Sequence, residues 1–240
     1  MLVFCPNCHS TKIKKNGHTY YGKQNHRCKD CGRQFVLNNT HTKSEDLLSL
    51  IKKALKERLS LRAICRIFEV SLTWLQTFSH KLWETTPRNL GLSNSIVGQI
   101  KKLQVFGIQA DELWSFVQKK KRKRWIWVAY DPVHRLVVAC HIGGRGIKSA
   151  RKFWLKIPSA LRSCYFETDH WEAYQSIIPS ARHKVGKNLT YFIEGFNATI
   201  RARVSRLLRK ALSFSKKDKW HHLAILWSLW QFNIERQHYI

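Results

Sequence analysis

The sequence predicts a multidomain chain: a small β zinc ribbon, an all-α helix-turn-helix segment and a C-terminal α/β domain. Three observations predict it. Two C-x2-C pairs, Cys5-Pro6-Asn7-Cys8 and Cys28-Lys29-Asp30-Cys31, stand nineteen residues apart at the start of the chain. Residues 43–86 hold neither Gly nor Pro and read as helix throughout. After the breaker cluster Thr86-Pro87-Arg88-Asn89-Leu90-Gly91, strand-like runs alternate with helical periods. The expected boundaries are 1–40 for the ribbon, 43–86 for the helical segment, 87–102 for a linker and 103–240 for the α/β domain.

The two cysteine pairs present four thiolates, Cys5, Cys8, Cys28 and Cys31, at a spacing that closes a tetrahedral shell around Zn²⁺. Forty residues cannot bury a sufficient core, so a structural metal would supply the folding energy. Gly32 after the second pair suits a tight turn. His9, His18 and His26 read as surface or nucleic-acid-facing residues, because four cysteines already fill the site. Cys65, Cys140 and Cys164 lie in apolar surroundings and read as packing residues.

In the helical segment, Ser44 caps a helix over residues 44–58, with Glu45 and Asp46 where the helix dipole favours carboxylates. A helix over 61–68, the turn Glu69-Val70-Ser71 and a helix over 72–83 have helix-turn-helix size. Glu69 stands where such turns often carry Gly. Thr73, Gln76 and Lys81 on the second helix are the candidate DNA contacts.

The α/β domain reads as a strand region over 103–117, a hairpin over 124–130 and 136–142 around Asp131-Pro132, and a helix over 148–156. A buried strand over 163–168, a helix over 171–177 and a brief strand over 183–185 follow. A long helix over 191–210 places Phe196, Ile200, Val204, Leu207 and Ala211 on one face. An aromatic-rich helix over 218–237 ends the chain, its Trp220, Trp227, Trp230 and Phe232 read as core or dimer surface.

The 240 residues carry 43 Lys+Arg against 15 Asp+Glu, a formal charge of +28. Such an excess points to a polyanionic partner, nucleic acid, and the helix-turn-helix makes double-stranded DNA the expected one. A membrane partner is disfavoured, since the best apolar candidate, residues 223–230, covers eight residues. No signal peptide is legible at the N-terminus, and the odd number of cysteines, seven, suits a reducing compartment. The expected location is cytoplasmic and nucleoid-associated. The run of basic residues from Lys119 to Arg124 reads equally well as a solvated hairpin tip or as a phosphate-contact loop through Lys120, Lys121 and Arg122. Gly143-Gly144-Arg145-Gly146 lacks the Lys-Ser/Thr ending of a P-loop and reads as an ordinary loop.

In so basic a chain, a carboxylate inside an apolar run needs a reason. Asp111 lies in the strand-like run Phe106–Trp114, and Asp169 closes the run that begins at Cys164. Glu194 opens the long helix, with Asn197 and Arg201 following at i+3 and i+7 on the same face. Three oxygen ligands from two strands and a helix suit a pair of Mg²⁺ ions. Glu167 competes with Asp169, because it shares a strand face with it.

Several of these motifs together resemble the insertion-sequence-1 family of transposases. They are Asp111-Glu112-Leu113-Trp114-Ser115-Phe116-Val117, Arg124-Trp125-Ile126-Trp127, Thr168-Asp169-His170-Trp171-Glu172-Ala173-Tyr174 and His183-Lys184-Val185-Gly186-Lys187. The helix from Ile193-Glu194 through Asn197, Arg201, Arg203, Arg206 and Arg209 to Phe214-Ser215 belongs with them. The ribbon and helix-turn-helix resemble that family's InsA part and the rest its InsB part, here in one open frame. His170 departs from the family, which commonly has a second Asp there.

The resemblance implies an RNase H-like fold and a catalytic triad of Asp111, Asp169 and Glu194. It implies two Mg²⁺ or Mn²⁺ ions, and it implies that Arg201 orients a phosphate. It further implies strand cleavage at the element's ends and transfer into target DNA by a homodimer or higher oligomer. Arg203 and Arg206 are additional candidate DNA contacts. The alternative is a catalytically inactive DNA-binding regulator descended from such an enzyme.

Overall fold

A computed structural model describes residues 3–37, 43–208, 210 and 214–237, in two compact units, Met1–Leu50 and Ile51–Ile240. Arg209 and Ala211, expected on the long helix, lie outside the described residues.

The first unit contains an antiparallel sheet of β1 (Ile13–His18), β2 (Gln24–Cys28) and β3 (Gln34–Val36) in that order. Among its described residues only Cys5, His26 and Cys28 are buried, so two thiols and an imidazole stand where a core would be. His26 is therefore not the exposed residue that the sequence suggested. It pairs with Phe35 across the strands and stacks on its ring at 5.8 Å, because β2 turns that position inward. Gly32 takes φ +73° and donates its N–H to the Cys28 carbonyl, a left-handed turn that favours glycine.

The boundary between the units falls inside α1 (Glu45–Lys56). Ser60 Oγ accepts from the Ala63 N–H to cap α2 (Leu61–Phe68), and Ser71 Oγ accepts from the Trp74 N–H to cap α3 (Leu72–Glu84). Both hydroxyls satisfy donors that the first turn leaves unpaired. Leu75, Ser79 and Trp83, four residues apart, form the buried stripe of α3.

Residues 94–102 are not linker. Ser93 caps α4 (Asn94–Lys102) at Ile96 N–H, and Ile100 enters the core beside Leu92, with Ile96 and Val97 packed against it. Once the breaker cluster has turned the chain, an N-cap followed by apolar residues at helical spacing makes a helix there. Consequently the first strand starts at Ile108 rather than near Leu103.

Five strands form one mixed sheet: β4 (Ile108–Phe116), β5 (Lys123–Asp131), β6 (Leu136–Gly143), β7 (Phe166–Thr168) and β8 (His183–Val185). Their order is β6-β5-β4-β7-β8, antiparallel from β6 to β4 and parallel from β4 to β8. Alternation along the strands serves two cores. Ile108, Ala110, Trp127 and Ala129 pack with Phe153 of α5 (Ile147–Lys156) and Tyr174 of α6 (Glu172–Gln175). Leu113, Ile126 and Val128 pack on the other face, with Phe196 of α7 (Tyr191–Arg203) and Leu229 of α8 (Asp218–Gln237).

α7 is shorter than its apolar period suggested. Val204 is extended at φ −97°, ψ 105°, and Ser205–Leu207 forms a 3₁₀ turn. Ser115 Oγ on β4 donates to the Arg206 carbonyl at 2.6 Å, which ties this segment to the strand instead of the helix axis. Val204 and Leu207 still reach the core. α8 is core: Trp227 and Phe232 are buried, and Trp230 lies so near Gly91 that a β-carbon there would meet it at 2.7 Å. Trp83 of α3 packs against Ala224 and Trp227, so α3 and the sheet share α8. No helix among the described residues is long and apolar enough to cross a membrane.

Glu69 ends α2 at φ 50°, ψ 42°, the left-handed conformation, with its N–H on the Cys65 carbonyl. A non-glycine residue there costs about 1 kcal/mol. Glu69→Gly should therefore raise stability by roughly 0.5–1 kcal/mol in urea unfolding; an unchanged or lower midpoint counts against this cap.

Candidate active site and metal-binding cysteines

The four cysteines converge. Their sulfurs lie within 4.8 Å of one another, with Cys5–Cys31 at 3.5 Å and Cys8–Cys28 at 3.6 Å. A tetrahedron with arms of 2.3 Å has edges of about 3.8 Å, so the thiols fit a Zn²⁺-sized ion. The Arg33 backbone N–H holds the Cys31 thiol down to about 6, and the Cys31 backbone N–H lowers Cys28. Both shifts favour the thiolate that a metal requires. Cys8, lowered by the Ser10 backbone but raised by hydrogen bonding with Cys31 and the other sulfurs, is instead pushed up to about 12, holding a proton that a metal would replace. Cys140 has the opposite environment to Cys31, since burial pushes its thiol up to about 12.

The acidic residues gather on the sheet face that α7 covers. Asp111 lies on β4, one residue past Ala110, and Asp169 lies one residue past Thr168 of β7; Ala110 and Thr168 are parallel partners. Asn197 of α7 is buried and donates from Nδ2 to Asp111 Oδ2 at 2.7 Å, while the Glu112 N–H donates to Oδ1 at 2.7 Å. Burial first, then the charges of Glu112 and Asp169, push the Asp111 carboxyl up to about 6. Asp169 Oδ1 accepts from the Trp171 N–H at 3.0 Å. Glu194 is exposed in the first turn of α7 and accepts from Thr190 Oγ1 at 2.8 Å. Arg201 is half-buried two turns further on. Among the described residues only the cysteines come within 4.8 Å as a set, so Asp111, Asp169 and Glu194 do not close to that spacing.

Glu167 is buried on this face and accepts from Gln109 Nε2 at 3.2 Å. Gln109 also donates to the Leu189 carbonyl and accepts from the Ile193 N–H at 2.9 Å, which pins the start of α7 to β4. Gln109 escaped the sequence reading, although a Gln inside an apolar strand is itself a signal.

Glu112 points to the opposite face. Its carboxylate, 2 % exposed, accepts from Arg145 Nε at 2.9 Å and from the Tyr174 hydroxyl at 2.9 Å. The Arg145 guanidinium lies between Trp125 and Trp171, at 4.5 and 4.1 Å from their ring centres. The glycine-rich loop taken for an ordinary connection thus carries the counter-charge of a buried carboxylate.

The candidate DNA contacts divide. Thr73, Gln76 and Lys81 are exposed on α3, and Lys120 and Lys121 are exposed in the β4–β5 turn. Arg122 instead joins Arg124 on Asp218, at 3.2 and 2.8 Å. Arg203 pairs with Glu235 at 2.8 Å and with Glu57 at 3.3 Å. Arg206 lies over Trp83 at 4.8 Å and donates to Ser215 Oγ, and burial lowers its pKa to about 10. Arg203 and Arg206 are engaged inside the protein, contrary to the expectation that they face DNA. The helix ends before Arg206, and carboxylates surround Arg203.

A model of the IS1 transposase family matches residues 105–239. The chain belongs to the IS1 transposase family. Insertion element IS1 protein InsB of Shigella flexneri is 37 % identical over 117 residues, 49 % of this chain and 88 % of that relative. Insertion element iso-IS1n protein InsB of Shigella dysenteriae is 34 % identical over the same length, 88 % of its own. Insertion element IS1 4 protein InsB of Escherichia coli (strain K12) is likewise 34 % identical, over 70 % of its length. The family segment of this IS1-family transposase contains both acidic strand ends and α7, while the cysteines, α2 and α3 precede it.

Arg145→Ala would leave Glu112 buried without its cation. It should lower the unfolding free energy by about 2–3 kcal/mol, at the low end for such a pair because Arg145 is 43 % exposed. Denaturant unfolding measures this; wild-type stability would mean that the ion pair is not the support of Glu112.

Proposed function

We propose that this IS1-family chain is a DNA transposase that binds the ends of its insertion element and cleaves and transfers strands with Asp111, Asp169 and Glu194. The observation that carries the reading is the contact of Asn197 with Asp111, which seats the helix of Glu194 against the strand of Asp111. The sheet order, with two parallel strands following an antiparallel three-stranded meander, is the one expected of an RNase H-like domain. Asp111 supports a divalent-metal reading because burial raises its carboxyl and the charges of Glu112 and Asp169 beside it, both acidic, raise it further.

Asp111, Asp169 and Glu194 would hold two Mg²⁺ or Mn²⁺ ions, hard cations that suit oxygen ligands. Such ions supply activation of water and charge stabilisation on the leaving 3′ oxygen. The chain's own residues fix the geometry: the Trp171 N–H orients Asp169, Thr190 orients Glu194, and Gln109 holds the start of α7. Arg201, beyond Glu194 on α7, would orient a DNA phosphate. Zn²⁺ on Cys5, Cys8, Cys28 and Cys31 would fold a zinc ribbon.

α2 and α3 form a helix-turn-helix in this reading, and Thr73, Gln76 and Lys81 meet element-end sequence. Lys120 and Lys121 would add phosphate contacts that any duplex offers. An element has two ends and each chain one such site, so a homodimer or higher oligomer would act on them. With DNA as its partner the protein would work in the cytoplasm, at the nucleoid.

Asp111→Asn, Asp169→Asn and Glu194→Gln should each reduce Mg²⁺-dependent cleavage of an end-containing duplex by more than about 100-fold while end binding persists. Glu167→Gln, which keeps a partner for Gln109, should retain activity. Survival of cleavage in all three triad variants would overturn the triad, whereas wild-type protein that binds ends without cleaving them would leave a DNA-binding regulator instead. Separately, purified protein should contain about one zinc per chain, and Cys28→Ser should lose it. Stoichiometric zinc in Cys28→Ser would sink the ribbon assignment.

A further inference from the structure

Asn197 makes two contacts' worth of polar surface in a buried position and uses only one. Its residue is 4 % exposed, and its Nδ2 donates to Asp111 Oδ2. An ionised carboxylate only accepts, so the amide nitrogen must face Asp111 and the amide oxygen must face elsewhere. That oxygen, Oδ1, is buried and has no hydrogen-bond partner among the described residues. A buried acceptor without a partner is costly. It sits one amide's width from a carboxylate whose neighbouring charges, Glu112 and Asp169, are negative. A cation held by those carboxylates would also give this oxygen a partner.

We infer that Asn197 belongs to the divalent-cation site: its amide N–H positions Asp111, and its amide oxygen serves as a neutral oxygen ligand beside that carboxylate. The inference rests on the metal reading of the Asp111 face proposed above. Hard divalent cations take carbonyl and amide oxygens together with carboxylates, and a neutral ligand adds coordination without adding repulsion between Asp111 and Asp169. The same amide also prevents Asp111 from turning away, because β4 and α7 are held together at Gln109 and Asn197 alike.

The test is Mn²⁺ binding by the full-length protein without DNA, followed by the electron paramagnetic resonance of free Mn²⁺, together with thermal melts with and without Mn²⁺. Asn197→Leu keeps the shape and removes both polar atoms. It should fold and bind Mn²⁺ at least tenfold more weakly than wild type. Asn197→Asp keeps an oxygen and sets a second charge against Asp111, so it should melt below wild type without Mn²⁺ and recover with it. Wild-type Mn²⁺ affinity in Asn197→Leu, with binding lost in Asp111→Asn, would overturn the inference and leave the metal reading standing. Failure of the wild type to bind Mn²⁺ would overturn both. Should Asn197→Leu not fold, a melt of Asn197→Asp that Mn²⁺ does not raise would overturn the inference alone.

Discussion

The placing of two adjacent carboxylates in the central strand, Glu112 buried and Asp111 half-buried, is the constraint from which the surrounding structure follows. They point to opposite faces of β4, and each needs compensation for the water it loses. Glu112 receives a guanidinium and a phenol, and two indoles close over the guanidinium. Asp111 receives an amide and a backbone N–H. One face therefore carries its counter-charge within the fold, and the other would, in the metal reading proposed above, receive it from a bound cation. The first face also serves the second. Trp171 stacks on Arg145 with its ring and holds Asp169 with its backbone, so the cage of Glu112 fixes the second acidic residue.

What was legible in the sequence was what local chemistry decides. The cysteine spacing foretold the convergence of four sulfurs, and the helices expected over 61–68 and 72–83 formed within a residue of those bounds, each capped by a serine hydroxyl three residues before the N–H it accepts from. The hairpin around Asp131-Pro132 and the acidic strand ends were equally readable. The break after Arg203 was not, since the apolar period continues through Leu207 and only the bond from Ser115 reveals the departure from the helix. Nor was α4, whose capping serine stands just past the breakers that were taken for a linker. Arg145 looked like loop because its partner lies thirty-three residues away on a strand.

The charge of +28 led correctly to a family that acts on DNA, but it overstated which cations are free for that purpose. Lys56 and Arg203 share Glu235, Arg122 and Arg124 share Asp218, and Lys219 pairs with Glu84. Each of these carboxylates lies on α8 or faces it. A sequence count treats every Arg as a potential phosphate ligand; burial and pairing reassign several to holding helices together.

That reassignment bears on how recognition and chemistry connect. Arg206 stacks on Trp83, Trp83 packs against α8, and α8 covers the sheet face that carries Asp111. His80 of α3 stacks on Trp220 of α8 at 3.5 Å, a second tie between the same helices. The route from the exposed face of α3 to the acidic residues therefore runs through packed side chains within one compact unit, where a linker over 87–102 was expected. With α3 seated on an element end, as proposed, the position of the bound helix would fix the direction from which DNA meets Asp111. In that reading a packed connection of this kind would restrict the reachable phosphates to a narrow set, as cutting at one defined place would require.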